Sequence, residues 1–343
     1  MPSLIQLNGV DGGGQILRTA LSLSMITGRG FRIVNIRGKR KKGGLKRQHL
    51  TCVRAAVAVS GGSVDGAELD SRELVFQPGS VQAGAYKFAI GTAGSTTLLA
   101  QTLLPALWFA SGSSTLHLEG GTHNPMAPSA DFINRVFLPQ LAKMGAVAEL
   151  NVVRHGFVPA GGGLLEIHVG AELSELKALH LTERGAPVEP EARRIDCTLA
   201  HIDAKVAERE IKAVCKRLDW PAACAQIHQA DESSGPGNIL EVEHAFEHVT
   251  ERVAAHGALG VSSEQVAKRA ANAMRNYLDS GVTVGLHLAD QLLLPMALAG
   301  GGSFTTFSET NHIRTNIQTI RSFVDVAFEL EPLESGVQIR ISI

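Results

Sequence analysis

Three stretches share one design: GGGQILRTALSLSMITG at residues 12–28, GTAGSTTLLAQTLLPALWFASG at 91–112 and VGLHLADQLLLPMALAGGG at 284–302. Each opens with small or polar residues, runs into an apolar helical segment and stops at glycine. Each leads into a short alternating run: FRIVNIRG, STLHLEG or SFTTFS. A polar loop follows, and then a second helical segment: RQHLTCVRAAVAVSG, SADFINRVFLPQLAKMG or HIRTNIQTIRSF. Two more strand-like runs close the unit, as in AVAELNVV and LLEIHV. The unit reads helix, strand, loop, helix, strand, strand. Such self-similarity marks one supersecondary block used several times. An α+β fold of three blocks packed around a shared axis is expected.

Residues 182–278 break the rhythm. RRIDCTLAHI alternates like a strand, Asp203 can cap the helix KVAEREIKAVCKRL, and AQIHQA, ILEVEHAF and VTERVAAHG read as strands. Ser262 and Gln265 have capping-box spacing and open a helix that stops at Gly281. This predicts a small α/β domain at 182–278, inserted into a larger one made of 1–181 and 279–343.

The chain has 343 residues, about two domains' worth at roughly 150 residues each. Its net charge of −1 gives no global field to hold nucleic acid or membrane, so any such binding needs a local patch. No C-x-x-C pair occurs among Cys52, Cys197, Cys215 and Cys224, and no signal peptide is expected from the start Met1-Pro2-Ser3. Free thiols in a cytoplasmic protein are expected. The apolar runs at 97–110 and 288–299 are too short or too polar to span a membrane.

The local patch exists. Arg37, Lys39, Arg40, Lys41, Lys42, Lys46 and Arg47 place seven cations in eleven residues with no acid. Glycines keep the segment a loop, and a polyanion would relieve its self-repulsion. A solvated basic loop is the bland alternative. Val10-Asp11-Gly12-Gly13-Gly14-Gln15 follows a strand-like run and opens a helix, an arrangement that can cradle an anion on backbone amides. Arg18 adds charge one turn on, and Asp11 could hold a divalent metal bridging phosphates. A plain turn is equally open, since neither a Walker A sequence nor a complete dinucleotide fingerprint occurs. HGFVPAGGG at 155–163 is a second glycine-rich loop, and physically it says only that backbone approaches something closely. Asp290 and Gln291 interrupt an apolar helix, as Gln101 does in the second block; each bonds either loop backbone or a ligand. No zinc is expected from His244 and His248, which fall on strand-like sequence. His312 starts a helix after a polar loop, at the place in block three that the basic loop holds in block one.

Together these motifs resemble the RNA 3′-terminal phosphate cyclases over essentially the whole chain. The resemblance rests on DGGGQILRTALSLSMITG, Gly44-Leu45-Lys46-Arg47-Gln48-His49-Leu50, GTAGSTTLLAQTLLPALW, Gly121-Thr122-x-Asn124-Pro125-x-Ala127-Pro128, HGFVPAGGG and ADQLLLPMALAG. It implies three repeats like the C-terminal domain of a bacterial initiation factor, an architecture shared with enolpyruvyl transferases, plus an inserted thioredoxin-like domain. It also implies a reaction: ATP and an RNA 3′-phosphate end give an RNA 2′,3′-cyclic phosphate, AMP and pyrophosphate, through a histidine–AMP adduct and an RNA adenylate. His312 matches the adenylylated histidine. Gln101, Pro128, His287, Leu288, Ala289, Asp290 and Gln291 match ATP-site positions. Arg18, Arg37, Arg40, Lys42, Arg47, Gln48 and His49 match positions facing phosphates, and Asp11 stands where the family commonly has a metal-binding Glu. A divalent ion, Mg or Mn, is implied. His287 stands where the family often has an aromatic ring. A non-catalytic RNA-processing relative and an enolpyruvyl transferase are the rivals. The former lacks the histidine that this chain has; the latter has no use for the basic loop or the insert.

Overall fold

The computed structural model describes residues 4–170 and 173–343. The first block holds β1 (Ile5–Asn8), α1 (Gln15–Thr27), β2 (Phe31–Val34), α2 (Arg47–Ser60), β3 (Ser63–Asp65) and β4 (Leu74–Gln77), with sheet order β1-β2-β4-β3. The second holds β5 (Ala85–Ala89), α3 (Thr96–Leu107), β6 (Ser114–Gly120), α4 (Ala130–Phe132), α5 (Leu138–Lys143), β7 (Ala148–Arg154) and β8 (Gly163–Val169), with order β5-β6-β8-β7. In both sheets the first two strands pair in parallel and the other pairs are antiparallel. The second helical segment of block two is not uniform. A π-turn at Ile133–Phe137 joins α4 to α5, just before Pro139, which has no N–H to donate.

The third block opens with β9 (Leu179–Leu181) and is then interrupted. The interruption contains β10 (Arg193–Ala200), α6 (Lys205–Leu218), β11 (Ala225–Gln229), β12 (Gly237–Ala245), β13 (Thr250–His256) and α7 (Ser263–Ser280). Its sheet order is β11-β10-β12-β13, with only β10 and β11 parallel. The chain then completes the third block with α8 (Leu286–Leu298), β14 (Gly301–Thr306), α9 (Asn311–Phe323), β15 (Ala327–Leu333) and β16 (Gly336–Ser342). The third sheet, β9-β14-β16-β15, repeats the pairing of the first two.

The repeated unit therefore has a leading strand that the sequence pattern did not include. β9 is three residues long and stands more than a hundred positions before the helix it belongs with, so periodicity could not join them. The helix boundaries follow the expected signals. Gly28 and Gly281 close α1 and α7 with left-handed backbone, and Ser95 and Ser262 cap α3 and α7.

One apolar core runs through all three blocks. α1 lies against α2, α3 and α9, and α8 lies against α9. The fourth sheet and its helices have their own core, including Ile195, Val214, Leu240, Val266 and Met274. Among the described residues no helix is long and apolar enough to cross a membrane.

Candidate active site

Packing α1 and α8 on α9 brings three helix starts together around a cavity of about 490 Å³. That volume suits a nucleotide-sized ligand. Its polar side is lined by Gln15, Arg18, Asp290, His312 and Asn316, and its apolar side by Pro128, Phe132, Leu294 and Pro295.

The polar side is a directed chain of hydrogen bonds. Asn316 Nδ2 donates to the Asp290 carbonyl oxygen at 3.0 Å and to its Oδ1 at 3.3 Å. The Gln15 amide nitrogen also donates to Asp290 Oδ1. Gln15 Oε1 is thereby turned toward His312 Nδ1, 3.0 Å away. A carbonyl oxygen only accepts, so Nδ1 carries the proton and the Nε2 lone pair of the neutral ring is left free. That is the form of imidazole that attacks an electrophile. Burial raises the pKa of Asp290, with His312, Gln15 and Arg18 working against it.

Arg18 lines the same cavity, and its guanidinium has no hydrogen-bond or ion-pair partner among the described residues. A cation pointed into a cavity without a partner is a site for an anion. His49 stands next to it. A side chain at Gly14 would overlap both His49 and Arg18, so glycine is what lets them close on the start of α1. His49 Nδ1 accepts from the Lys46 N–H at 3.2 Å, and burial together with Arg18, Arg37 and Lys46 pushes its pKa down to about 3. Its ring is neutral with the proton on Nε2, so His49 is a donor and not a second nucleophile.

Other residues of the basic loop are divided in role. Arg40 lies beside Gly13 of the glycine loop, and Lys42 and Arg47 are exposed. Arg37 is spent on structure, donating to the carbonyls of Lys42 and Gly44 at 3.0 Å each. Gln48 Oε1 accepts from the Ser95 N–H at 2.8 Å and so holds the start of α3. Asp11 is paired with Lys39, and its carbonyl oxygen accepts from Asn311, the neighbour of His312.

A family profile described as RNA 3′-terminal phosphate cyclase matches residues 10–330. A Pseudomonas fluorescens protein named RNA 3′-terminal phosphate cyclase is 51% identical over 334 residues, covering 97% of this chain and 96% of its own. A Salmonella typhimurium protein of the same name is 47% identical, with 100% of both chains covered. The chain belongs to the RNA 3′-terminal phosphate cyclase family. Among solved structures, EPSP synthase from Acinetobacter baumannii aligns with 63% of this chain and 55% of its own at 12% identity and a TM-score of 0.23, too slight a likeness to argue from.

Of the ATP-site positions that the cyclase resemblance implies, Gln101, Pro128, His287, Asp290 and Gln291 line the cavity. The Gln101 amide donates to Gln291 Oε1 across it. Burial lowers the pKa of His287, and its ring meets Phe132 edge-on with centroids 6.2 Å apart. Leu288 and Ala289 do not line it; both are buried in the common core on the inner face of α8.

The cyclase motifs did not point to the wall supplied by the fourth sheet: Glu241, Arg252, Ala254 and His256. Arg252 sits at the centre of a buried ion network, donating to Asp196 Oδ2 at 2.9 Å, Glu241 Oε2 at 3.0 Å and Glu243 Oε2 at 2.8 Å. From block two, Ser129 donates to Glu241 at 2.6 Å and Arg135 clasps Glu243 with two bonds of 2.7 and 2.6 Å. His123, Asp131 and Glu241 stand close enough to share an ion, but each is already paired: His123 with Asp131 and Thr122, Glu241 with Ser129 and Arg252. HGFVPAGGG proves to be a docking loop. Gly156 packs on the backbones of Gly120 and Gly163, and Phe157 is buried with Ala200, Ala230 and Ile239 of the interrupting segment.

Proposed function

We propose that this chain uses ATP to convert an RNA 3′-phosphate end into a 2′,3′-cyclic phosphate, with His312 as the nucleophile. The observation that carries the reading is the Asp290–Gln15–His312 chain beside the unpartnered Arg18, on the wall of a nucleotide-sized cavity. His312 Nε2 attacks the α-phosphorus of ATP. A P–N bond forms, the bond to the β-phosphate oxygen breaks, and pyrophosphate leaves. Arg18 is placed to hold negative charge as it develops, and the Nε2–H of His49 and the first amides of α1 add donors. An oxygen of the RNA 3′-phosphate then takes the adenylyl group, breaking the P–N bond and restoring the free imidazole. The neighbouring 2′-hydroxyl attacks the activated phosphorus, loses its proton and expels AMP. Tethering beside its target removes most of the entropic cost of that step.

In this reading adenine lies on the apolar side, between Pro128, Phe132 and His287. Arg40, Lys42 and Arg47 take the RNA backbone, with Arg37 shaping their loop. A divalent ion takes few protein oxygens when phosphates supply the rest, and the carboxylate of Asp11, whose pair with Lys39 is exposed, would exchange that partner for the ion. When bound, the ion would offset phosphate charge. Residues 182–278 form the inserted domain, thioredoxin-like in sheet order, on a three-repeat body. The four cysteines are free thiols, in keeping with a cytoplasmic enzyme.

The test is incubation with α-labelled ATP and a divalent metal, followed by a denaturing gel. The reading expects an acid-labile label on the wild-type chain and none on His312→Asn. It also expects His312→Asn to cyclise RNA that already carries the 3′-adenylyl group. A label retained by His312→Asn would sink the assignment.

A further inference from the structure

α8 carries His287, Asp290 and Gln291 into the cavity, yet its first turn has no side-chain cap of its own. Its N-cap is Gly285, and the group that reaches it comes from the fourth sheet. Glu251, on β13, is 3% exposed, and its Oε2 accepts from the Gly285 N–H at 3.2 Å. A side chain at position 285 would overlap both carboxyl oxygens of Glu251. Gly285 has ordinary extended backbone, so glycine is needed there for close approach and not for its conformational freedom.

β13, which carries Glu251, is held by antiparallel pairing with β12 from Thr250 to His256. Arg184 donates from Nε to the Val282 carbonyl at 2.6 Å and from Nη1 to that of Leu278 at 3.2 Å, and its guanidinium lies 3.9 Å from the Tyr277 ring centroid. It thus ties the segment entering the fourth sheet to the segment leaving it. Farther along β13, Ala254 and His256 line the cavity. One strand of the interrupting unit therefore both walls the cavity and caps the helix that furnishes its ATP-side residues.

We infer that Glu251 is a positioning residue for the nucleotide site: it seats the start of α8 against the inserted sheet and so sets where His287, Asp290 and Gln291 stand. This rests on the reading of the cavity as the ATP site. Several ionisable groups stand around the carboxyl. Arg184 comes from the connection after β9, Tyr277 from α7, and His244 pairs across from it on β12. α8 offers the Gly285 N–H, while the imidazole of its first turn, His287, lines the cavity. Burial dominates and pushes the Glu251 carboxyl up to about 8, so the cap is neutral at pH 7. As the pH rises through that value the carboxyl ionises, and the Gly285 N–H and Arg184 only partly offset the burial of its charge, which loosens the seat.

Five chains test this by self-labelling with α-labelled ATP at pH 7 and pH 9: wild type, Glu251→Ala, Glu251→Gln, Gly285→Ala and the double variant carrying both Glu251→Ala and Gly285→Ala. Losing the cap should raise the ATP concentration for half-maximal labelling about tenfold in Glu251→Ala, with the maximal rate changed less than that. Wild type should show a similar rise between pH 7 and pH 9. Glu251→Gln, isosteric and permanently neutral, should stay near the wild-type value at pH 7 and lose the pH dependence. Gly285→Ala should weaken ATP use in the wild-type background and much less in the Glu251→Ala background. A folded Glu251→Ala chain with wild-type ATP dependence overturns the inference. So does a pH dependence that survives in Glu251→Gln, a readout that stands even if the alanine chain does not fold. No label on wild type under any condition would instead overturn the ATP-site reading itself.

Discussion

Gln15 Oε1 and His312 Nδ1 stand 3.0 Å apart, although 296 residues separate them along the chain. The contact exists because α1 and α9, from the first and last blocks, pack side by side. Gln15 cannot flip without losing Asp290, so the proton position on His312 is set by a helix from the other end of the sequence. Replacing Gln15 by Leu removes the acceptor and leaves Asp290 short of a donor. Loss of one such bond is worth about 1.5 kcal/mol, or roughly tenfold in rate. Adenylylation by Gln15→Leu should slow by that order, while cyclisation of RNA already bearing the 3′-adenylyl group should stay near the wild-type rate. Equal losses in both reactions would mean that Gln15 acts on something other than the histidine.

The basic loop should report through salt. Each phosphate neutralised on a single strand contributes about −0.7 to the slope of log affinity against log salt. Arg40 and Lys42 are exposed and make no side-chain hydrogen bond among the described residues, whereas Arg37 donates to two of the loop's carbonyls. Arg40→Ala and Lys42→Ala should each flatten the slope by about one contact, with ATP labelling little changed. Arg37→Ala should disturb the whole loop and weaken RNA binding by more than one contact's worth. The check is fluorescence-anisotropy titration of a 3′-phosphorylated oligonucleotide at several salt concentrations. Unchanged slopes for both single variants would place the RNA elsewhere.

His49 gives a stability prediction with a definite sign. Its folded pKa is about 3, against about 6.5 for a free histidine. The unfolded chain therefore binds the proton more readily between those values, and stability falls as the pH drops through that window. The slope approaches about 1.4 kcal/mol per pH unit from this group alone. His49→Asn keeps an acceptor for the Lys46 N–H but cannot titrate. Urea unfolding at pH 7 and pH 5 should show a smaller loss for His49→Asn than for wild type, and an identical loss would remove His49 from the account.

Much of this was legible in the sequence, and the rest was hidden for physical reasons. Helices ending at Gly28 and Gly281 could be read because apolar spacing and a glycine stop are local signals. His312, Gln101, Pro128, His287, Asp290 and Gln291 were found through motifs, and they share one cavity. Gln15 sat inside a quoted motif and was missed, because its role depends on which helix α1 meets. Leu288 and Ala289 were included with their neighbours, although alternate sides of a helix face opposite ways; theirs faces the core. The fourth sheet's share was the least visible. ILEVEHAF alternates as though Glu241 and Glu243 faced water, but β12 is buried on both faces from Gly237 to His244. Only the docking of that sheet against block two makes those carboxylates interior.

That burial yields the last prediction. Asp196, Glu241 and Glu243 are each less than a twentieth exposed, and all three accept from Arg252, which is itself 2% exposed. Glu243 keeps Arg135, Asp196 keeps Arg194 and His228, but Glu241 keeps only the Ser129 hydroxyl once Arg252 is gone. Removing one member of a buried ion network costs about 3–5 kcal/mol, because the charges left behind are neither solvated nor paired. Arg252→Ala should lose stability of that order, whereas Arg209→Ala, which breaks an exposed pair with Glu264, should lose less than about 1 kcal/mol. Because Glu241 bonds Ser129 next to Pro128, the looser sheet should also weaken ATP use. The measurement is chemical denaturation of both variants beside ATP titrations of self-labelling. If Arg252→Ala unfolds no more easily than Arg209→Ala, the network does not hold the fourth sheet to block two.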